Sequence, residues 1–330
     1  MERWSDMMDR VTAMSTAAQP AMTEAGANGL EAFKKYAADL FQEWGKLRNR
    51  TEKTTATYTR NVRPFLEYLA ARQITHPTPD DVAAYRDHLA ENYKPSTVGA
   101  YLAAVKIFFR MTADAGLYPD IAHNVAGVKL DRGHKKDALS RAQAQDFLNT
   151  GKDKDTLKGL RDYAIMRLLL TAGLRTVEAV RANIGDKRTE GGHAVLYVQG
   201  KGRTERTEYV KLGPKTDRAI REYLAARGET DDNAPLFAST AHRNAGGRMT
   251  TRSISRIIKD HLKAAGLDSD RITAHSLRHT TGTLAIMKGK SLAAVQEVLR
   301  HRSVDTTRIY AGAASRRKNN TEDMLDKMFQ

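Results

Sequence analysis

Cysteine is absent from the 330 residues, which excludes disulfides, thiolate nucleophiles and every zinc site built on sulfur. Long apolar runs are absent as well. None approaches the roughly 20 residues that a bilayer span requires, so no membrane-crossing helix is expected. The first ten residues, MERWSDMMDR, mix acids with bases and hold no apolar h-region. A secretory signal is therefore not expected, and the chain is read as cytoplasmic. Neither G-x-x-x-x-G-K-[ST] nor G-x-G-x-x-G occurs, so ATP use is not indicated. No segment recurs at the roughly 20 to 50 residue period of solenoids.

What the chain has in excess is positive charge, with 54 Lys and Arg against 39 Asp and Glu. The excess is unevenly spread: residues 1–130 carry 16 basic and 15 acidic groups, whereas residues 131–330 carry 38 and 24. A basic chain of this kind most often has a polyanion as partner, because each cation that neutralises a phosphate releases condensed counterions. Membrane lipid is the weaker alternative. An apolar content of 41% supports a packed core, and the length suggests about two domains.

Apolar spacing predicts a mainly α fold with one small antiparallel sheet in the C-terminal domain. Residues 1–28, rich in Ala, Met, Thr and Gly, read as a poorly ordered extension with at most a short helix over 7–14. A helical domain is expected over 29–130. Its first two helices carry Leu30, Phe33, Leu40 and Trp44, then Tyr58, Val62, Phe65 and Leu69. Thr78, Pro79 and Asp81 form a helix start with N-cap, N1 proline and capping box. A fourth helix over Val98, Leu102, Val105 and Phe109 stops at Gly116. The charged stretch 131–138 reads as a linker. Over 139–330, helices are expected near 140–148, 157–171, from 176, and at 214–227, 250–265, 276–288, 291–299 and 321–329. A hairpin is expected from 193–199 and 207–212, with a basic tip between.

In the C-terminal part a set of basic groups precedes one tyrosine: Arg175, Lys201, His275, Arg278, His301 and Tyr310. Such a set suits phosphoryl transfer without metal or cofactor. Guanidinium forks can hold the charge that develops on non-bridging oxygens. A tyrosine needs cationic neighbours or a His base to become a good nucleophile, and a Lys or His can protonate the leaving oxygen. Taken singly, each residue has a plainer reading: Arg175 can pair with Glu178 on its helix, and Lys201 can be a solvated turn charge. His275 can be an N-cap substitute, His301 a core group and Tyr310 a half-buried aromatic. His275 and His279 would share a helix face, but Ser276 stands where a zincin has its Glu and no third ligand is evident.

The order of these boxes resembles the tyrosine recombinase (phage integrase) family. The resemblance rests on TAGLRTVE with Arg175 and Glu178, GKGRTER with Lys201, HSLRH with His275 and Arg278, and LRHRSVDTTRIY with His301 and Tyr310. Residues from TEKTTATYTRNVRPFLEYL to IFFRMTADAGLY resemble the family's SAM-like core-binding domain, so the likeness covers roughly residues 30 to 320. One departure is Arg300, where many relatives have Gly before the His.

The resemblance implies a site-specific DNA recombinase or integrase, two domains clamping duplex DNA, and a homo-tetramer on two sites that is monomeric or weakly associated when free. Arg175 and Arg278 would hold the scissile phosphate with His301 as a further donor. Lys201 would protonate the 5′-oxygen, and His275 would take the Tyr310 proton as Tyr310 forms a 3′-phosphotyrosyl link. Glu178 would support the arginine box. Candidate duplex contacts are Lys53, Arg60, Lys94 and Lys106 in the first domain. Arg203, Arg252, Arg256 and Arg300 are candidates in the second. The main expectation is integration or excision of a mobile element, with accessory DNA-bending or directionality proteins, in a nucleoid-associated protein. Alternatives are Xer-like dimer resolution, type IB topoisomerase-like relaxation and a non-enzymatic DNA-binding regulator. The last helix, with Met324, Leu325, Met328 and Phe329, would dock on a neighbouring protomer or pack on its own domain.

Overall fold

A computed structural model describes residues 27–129, 137–151, 155–200, 205–301, 307, 310, 312 and 321–329. The expected helix over 7–14 lies outside them. The chain divides into two compact units, Met1–Arg132 and Gly133–Gln330.

Among the described residues the first unit holds four helices: α1 (Ala27–Leu47), α2 (Glu52–Ala71), α3 (Pro79–Asn92) and α4 (Pro95–Asp114). The start of α3 forms as its sequence dictates: Asp81 Oδ2 accepts from the Thr78 backbone N–H at 2.8 Å, and Pro79 sits in the first turn. Pro95 opens α4 in the same manner, and Gly116, with φ +69°, turns the chain at its end. Ring packing fills the interior, with Phe65 against Tyr85 at 5.0 Å and against Phe109 at 5.8 Å. The segment after α4 is stitched back by Tyr118, whose hydroxyl donates to the Pro77 carbonyl at 2.8 Å.

The second unit holds α5 (Arg141–Asn149), α6 (Leu157–Thr171), α7 (Thr176–Arg181), β1 (Lys187–Glu190), β2 (His193–Val198), β3 (Glu208–Lys211), α8 (Pro214–Arg227), α9 (Thr251–Ala264), α10 (Ala274–Met287), α11 (Leu292–Leu299) and α12 (Thr321–Met328). Helix α6 is the centre, buried along most of its length, and α5, α8, α9 and α10 pack around it. Helix α9 shows why: Ile254, Ile258 and Leu262 recur every fourth residue and are buried, whereas Arg252 and Arg256 are exposed. The sheet is antiparallel in the order β1-β2-β3, with Leu196 facing Lys187 on one side and Val210 on the other.

Three local expectations change. Strand β1 is absent from the sequence reading because its residues, KRTE, are polar and mostly exposed. Asp137, placed in the linker by its sequence, is tied to the second unit: its carboxylate takes two hydrogen bonds from Arg271, at 2.8 and 2.9 Å, and Leu139 is fully buried. Helix α10 begins at Ala274 rather than Ser276, since the Ser276 hydroxyl accepts from the Thr273 N–H at 3.0 Å and thereby caps the turn that contains His275. That removes the N-cap reading of His275.

Candidate active site

The site grows from the turn after α6. Gly173 adopts φ +60°, a conformation that favours glycine, and a β-carbon there would lie 2.6 Å from Leu299 Cδ2 and displace that side chain. The turn aims the Gly173 carbonyl at Arg278, whose Nη1 donates to it at 2.5 Å, while Nη2 donates to the carbonyl of Leu299. Arg278, on α10, is only 2% exposed and ties together three segments distant in sequence. Burial, reinforced by the charge of Arg175, lowers its pKa to about 10, so the guanidinium remains a cation at neutral pH.

Arg175 caps α7 and stands over Glu178, which is completely buried. Glu178 Oε1 accepts from Arg175 Nη1 at 2.8 Å, and Oε2 accepts from the Arg175 backbone N–H at 2.8 Å and from Arg300 Nη2 at 2.7 Å. Burial alone would raise the carboxyl pKa, but Arg300 and Arg175 more than offset it and hold Glu178 below the usual range. The helical pairing of Arg175 with Glu178 and a role at a phosphate are therefore compatible, because the Arg175 side chain keeps 31% of its surface exposed.

Tyr310 lies among Val295 and Leu299 and is 2% exposed. Gly282 on α10 makes room for it; a β-carbon there would be 3.0 Å from the Tyr310 ring. His301 stacks on one side at 5.9 Å between centroids and His279 meets the ring edge-on at 5.3 Å. Burial raises the Tyr310 pKa although Arg278 and Arg175 pull it down, so the phenol is protonated at neutral pH. The His301 pKa falls to about 4, chiefly by burial and then by Arg278, Arg175 and Arg300, which leaves a neutral imidazole. Its Nδ1 lies 3.0 Å from the Thr307 hydroxyl. With that hydroxyl donating, the ring's own proton is on Nε2 and available to a ligand oxygen.

His275 sits on the exposed face of the first turn of α10 and touches His279 ring to ring at 4.7 Å. His279 and Thr307 are the neighbours that sequence reasoning missed. HSLRH did show His279 one helical turn from His275, but nothing local linked it to a tyrosine 31 positions later. Lys201 and Arg203 lie outside the described residues; in sequence they fall between the paired strands β2 and β3. Among the expected duplex contacts, Lys53, Arg60, Lys94, Arg252 and Arg256 are exposed. Two others turn inward. Lys106 Nζ donates to the Val125 carbonyl at 2.6 Å, pinning the segment after α4. Arg300 faces Glu178 with 7% of its side chain exposed, and its guanidinium compensates the buried carboxylate.

Comparison with known proteins decides the family. Residues 138–317 match the phage integrase family and residues 38–117 match its N-terminal SAM-like domain. The chain belongs to the phage integrase family. It is thus a tyrosine recombinase, an enzyme of site-specific recombination that cuts and rejoins DNA strands. Tyrosine recombinase XerC of Pelobacter propionicus is 34% identical over 273 residues, covering 80% of this chain and 85% of the relative. Tyrosine recombinase XerD of Caulobacter vibrioides is 31% identical over 241 residues, covering 70% and 75%. In fold, the recombinase is similar to XerH bound to a palindromic difH substrate, with a TM-score of 0.71, 20% identity and 95% of each chain covered. A lambda integrase dimer bound to a COC′ core site gives 0.61 at 18% identity, covering 81% of this chain and 95% of that one. No described helix of the recombinase is long and apolar enough to cross a membrane.

Proposed function

We propose that this recombinase acts as a Xer-type resolvase of chromosome or plasmid dimers, cleaving duplex DNA through Tyr310. The observation that carries the chemistry is the convergence of Arg175, Arg278, His301 and Tyr310, drawn from four segments, around one buried ionic knot. Tyr310 Oη attacks phosphorus, the bond to the 5′-oxygen breaks, and a 3′-phosphotyrosyl link forms with a free 5′-hydroxyl. Arg175 and Arg278 hold the non-bridging oxygens, with the neutral His301 donating a hydrogen bond. Lys201 gives its proton to the departing 5′-oxygen and His275 takes the one from Tyr310. Attack by the partner strand's 5′-hydroxyl reverses the step, so the phosphodiester energy is conserved without ATP.

The biological role leans on relatives above 30% identity that are named XerC and XerD, which favours dimer resolution over the mobile-element role expected from sequence. The exposed apolar residues of α12, Met324, Leu325 and Met328, with Phe329 just after it, support docking on a neighbouring copy and hence a multimer working on two DNA sites.

The test uses a duplex selected by the purified protein from a random-sequence pool, then nicked to trap the intermediate. Wild type is expected to form a denaturant-resistant adduct, and Tyr310→Phe to form none. Equal adduct from both proteins excludes Tyr310. Two directly repeated copies of the selected site on one plasmid should be resolved to single copies. Relaxation of supercoils without joining the two sites would instead indicate a topoisomerase.

A further inference from the structure

Arg300 has no place in the chemistry above, yet it sits at the centre of the site. Its backbone is left-handed, with φ +51°, a conformation that glycine adopts freely and a β-carbon disfavours. A strained residue held by its surroundings points to a use for its side chain. That side chain reaches across from the end of α11 to α7, donating from Nη2 to Glu178 and from Nη1 to the Val298 carbonyl at 2.9 Å. Among the described residues its Nε is buried without a hydrogen-bond partner, and the two Nη contacts hold the guanidinium.

The Glu178 carboxylate divides between two arginines of unlike character. Arg175 holds Oε1 and remains 31% exposed, whereas Arg300 holds Oε2 and is 7% exposed. A phosphate arriving at the site can draw away only the accessible one. When Arg175 Nη1 leaves, a fully buried carboxylate would lose a cation, and an uncompensated charge in that position is strongly unfavourable. Oε2 would still accept from Arg300 and from the Arg175 backbone N–H.

We infer that Arg300 is a positioning residue: it keeps Glu178 compensated so that the Arg175 side chain is free to turn from the carboxylate to a DNA phosphate. The inference rests on the assignment of Arg175 to the scissile phosphate. Arg300 touches no substrate and acts through Glu178.

Full-length variants are tested on the pool-selected duplex, intact for binding and nicked for cleavage. Arg300→Gly relieves the left-handed strain and so separates fold from function. Its affinity for the intact duplex is expected to stay within about threefold of wild type, since other phosphate contacts persist. Its adduct formation at saturating protein should slow roughly tenfold, the usual scale for losing a supporting partner. Arg300→Lys, which keeps the charge, should recover most of the rate. In a Glu178→Gln background, adding Arg300→Gly should cost nothing more, because a neutral amide needs no counter-ion. Cleavage by Arg300→Gly at the wild-type rate, a loss of affinity as large as the loss of rate, or no rescue by lysine would each overturn the inference. Adduct from Tyr310→Phe would instead overturn the reading of the site itself, whatever Arg300 does.

Discussion

The two units bury different things. In the helical unit the interior is mostly rings and aliphatic chains: Phe41, Phe65, Tyr85, Phe108 and Phe109 lie within 3% of full burial, and among the described residues no Lys, Arg, Asp or Glu is buried there. The second unit buries Arg161, Asp162, Glu178, Asp186 and Arg278. An apolar core stabilises in proportion to the area removed from water and asks little of the exact partner. A buried ion must be matched atom by atom, so it contributes little net stability and is retained for geometry. The contrast locates the chemistry. Arg278, Glu178 and Arg300 cross-link segments whose relative placement a phosphodiester would read.

The largest effect that would sharpen this contrast is on catalysis. Arg278→Ala is expected to abolish adduct formation while leaving most duplex affinity, measured by titrating binding alongside the suicide-substrate assay. It should also loosen the second unit, because two backbone carbonyls lose their donor. Wild-type cleavage by this variant would break the proposed role of the buried knot.

A core truncation probes the other unit. Phe65→Ala removes a fully buried ring and its contacts with Tyr85 and Phe109, at a cost of about 3–5 kcal/mol in stability. Hydrogen exchange should rise across α1–α4 and stay near wild type in α6. A uniform rise in both would show that the units do not behave as separate cores.

Acid should act in the opposite place. His301 carries a pKa of about 4 in the folded chain against 6.5 for the free residue. Between those values the unfolded chain binds a proton that the native one does not, so stability falls as pH drops through that window. The loss should appear in exchange of α10 and α11, and His301→Gln should flatten it. A smaller effect separates caps from cores: Thr78→Ala should cost about 1 kcal/mol, confined to the start of α3.

Periodicity and capping carried most of the fold. Helices α6 and α8 run over the residues that their apolar spacing marks, and the Thr78 box forms as read. Strand β1 escaped because an exposed edge of charged residues has no alternation to detect. The site was legible as an ordered set of residue types. It was not legible as contacts, since the bonds from Arg278 to Gly173 and from Arg300 to Glu178 span 105 and 122 positions. Local pattern also cannot say whether a lysine or arginine faces solvent, and Lys106 and Arg300 turned inward for that reason.

The most direct test of the central claim is to digest the trapped adduct with nuclease and trypsin and find the nucleotide by mass spectrometry. The expected result is a phosphonucleotide on Tyr310 within peptide 309–316. A nucleotide on any other residue would contradict the assignment of Tyr310 as the nucleophile of this site.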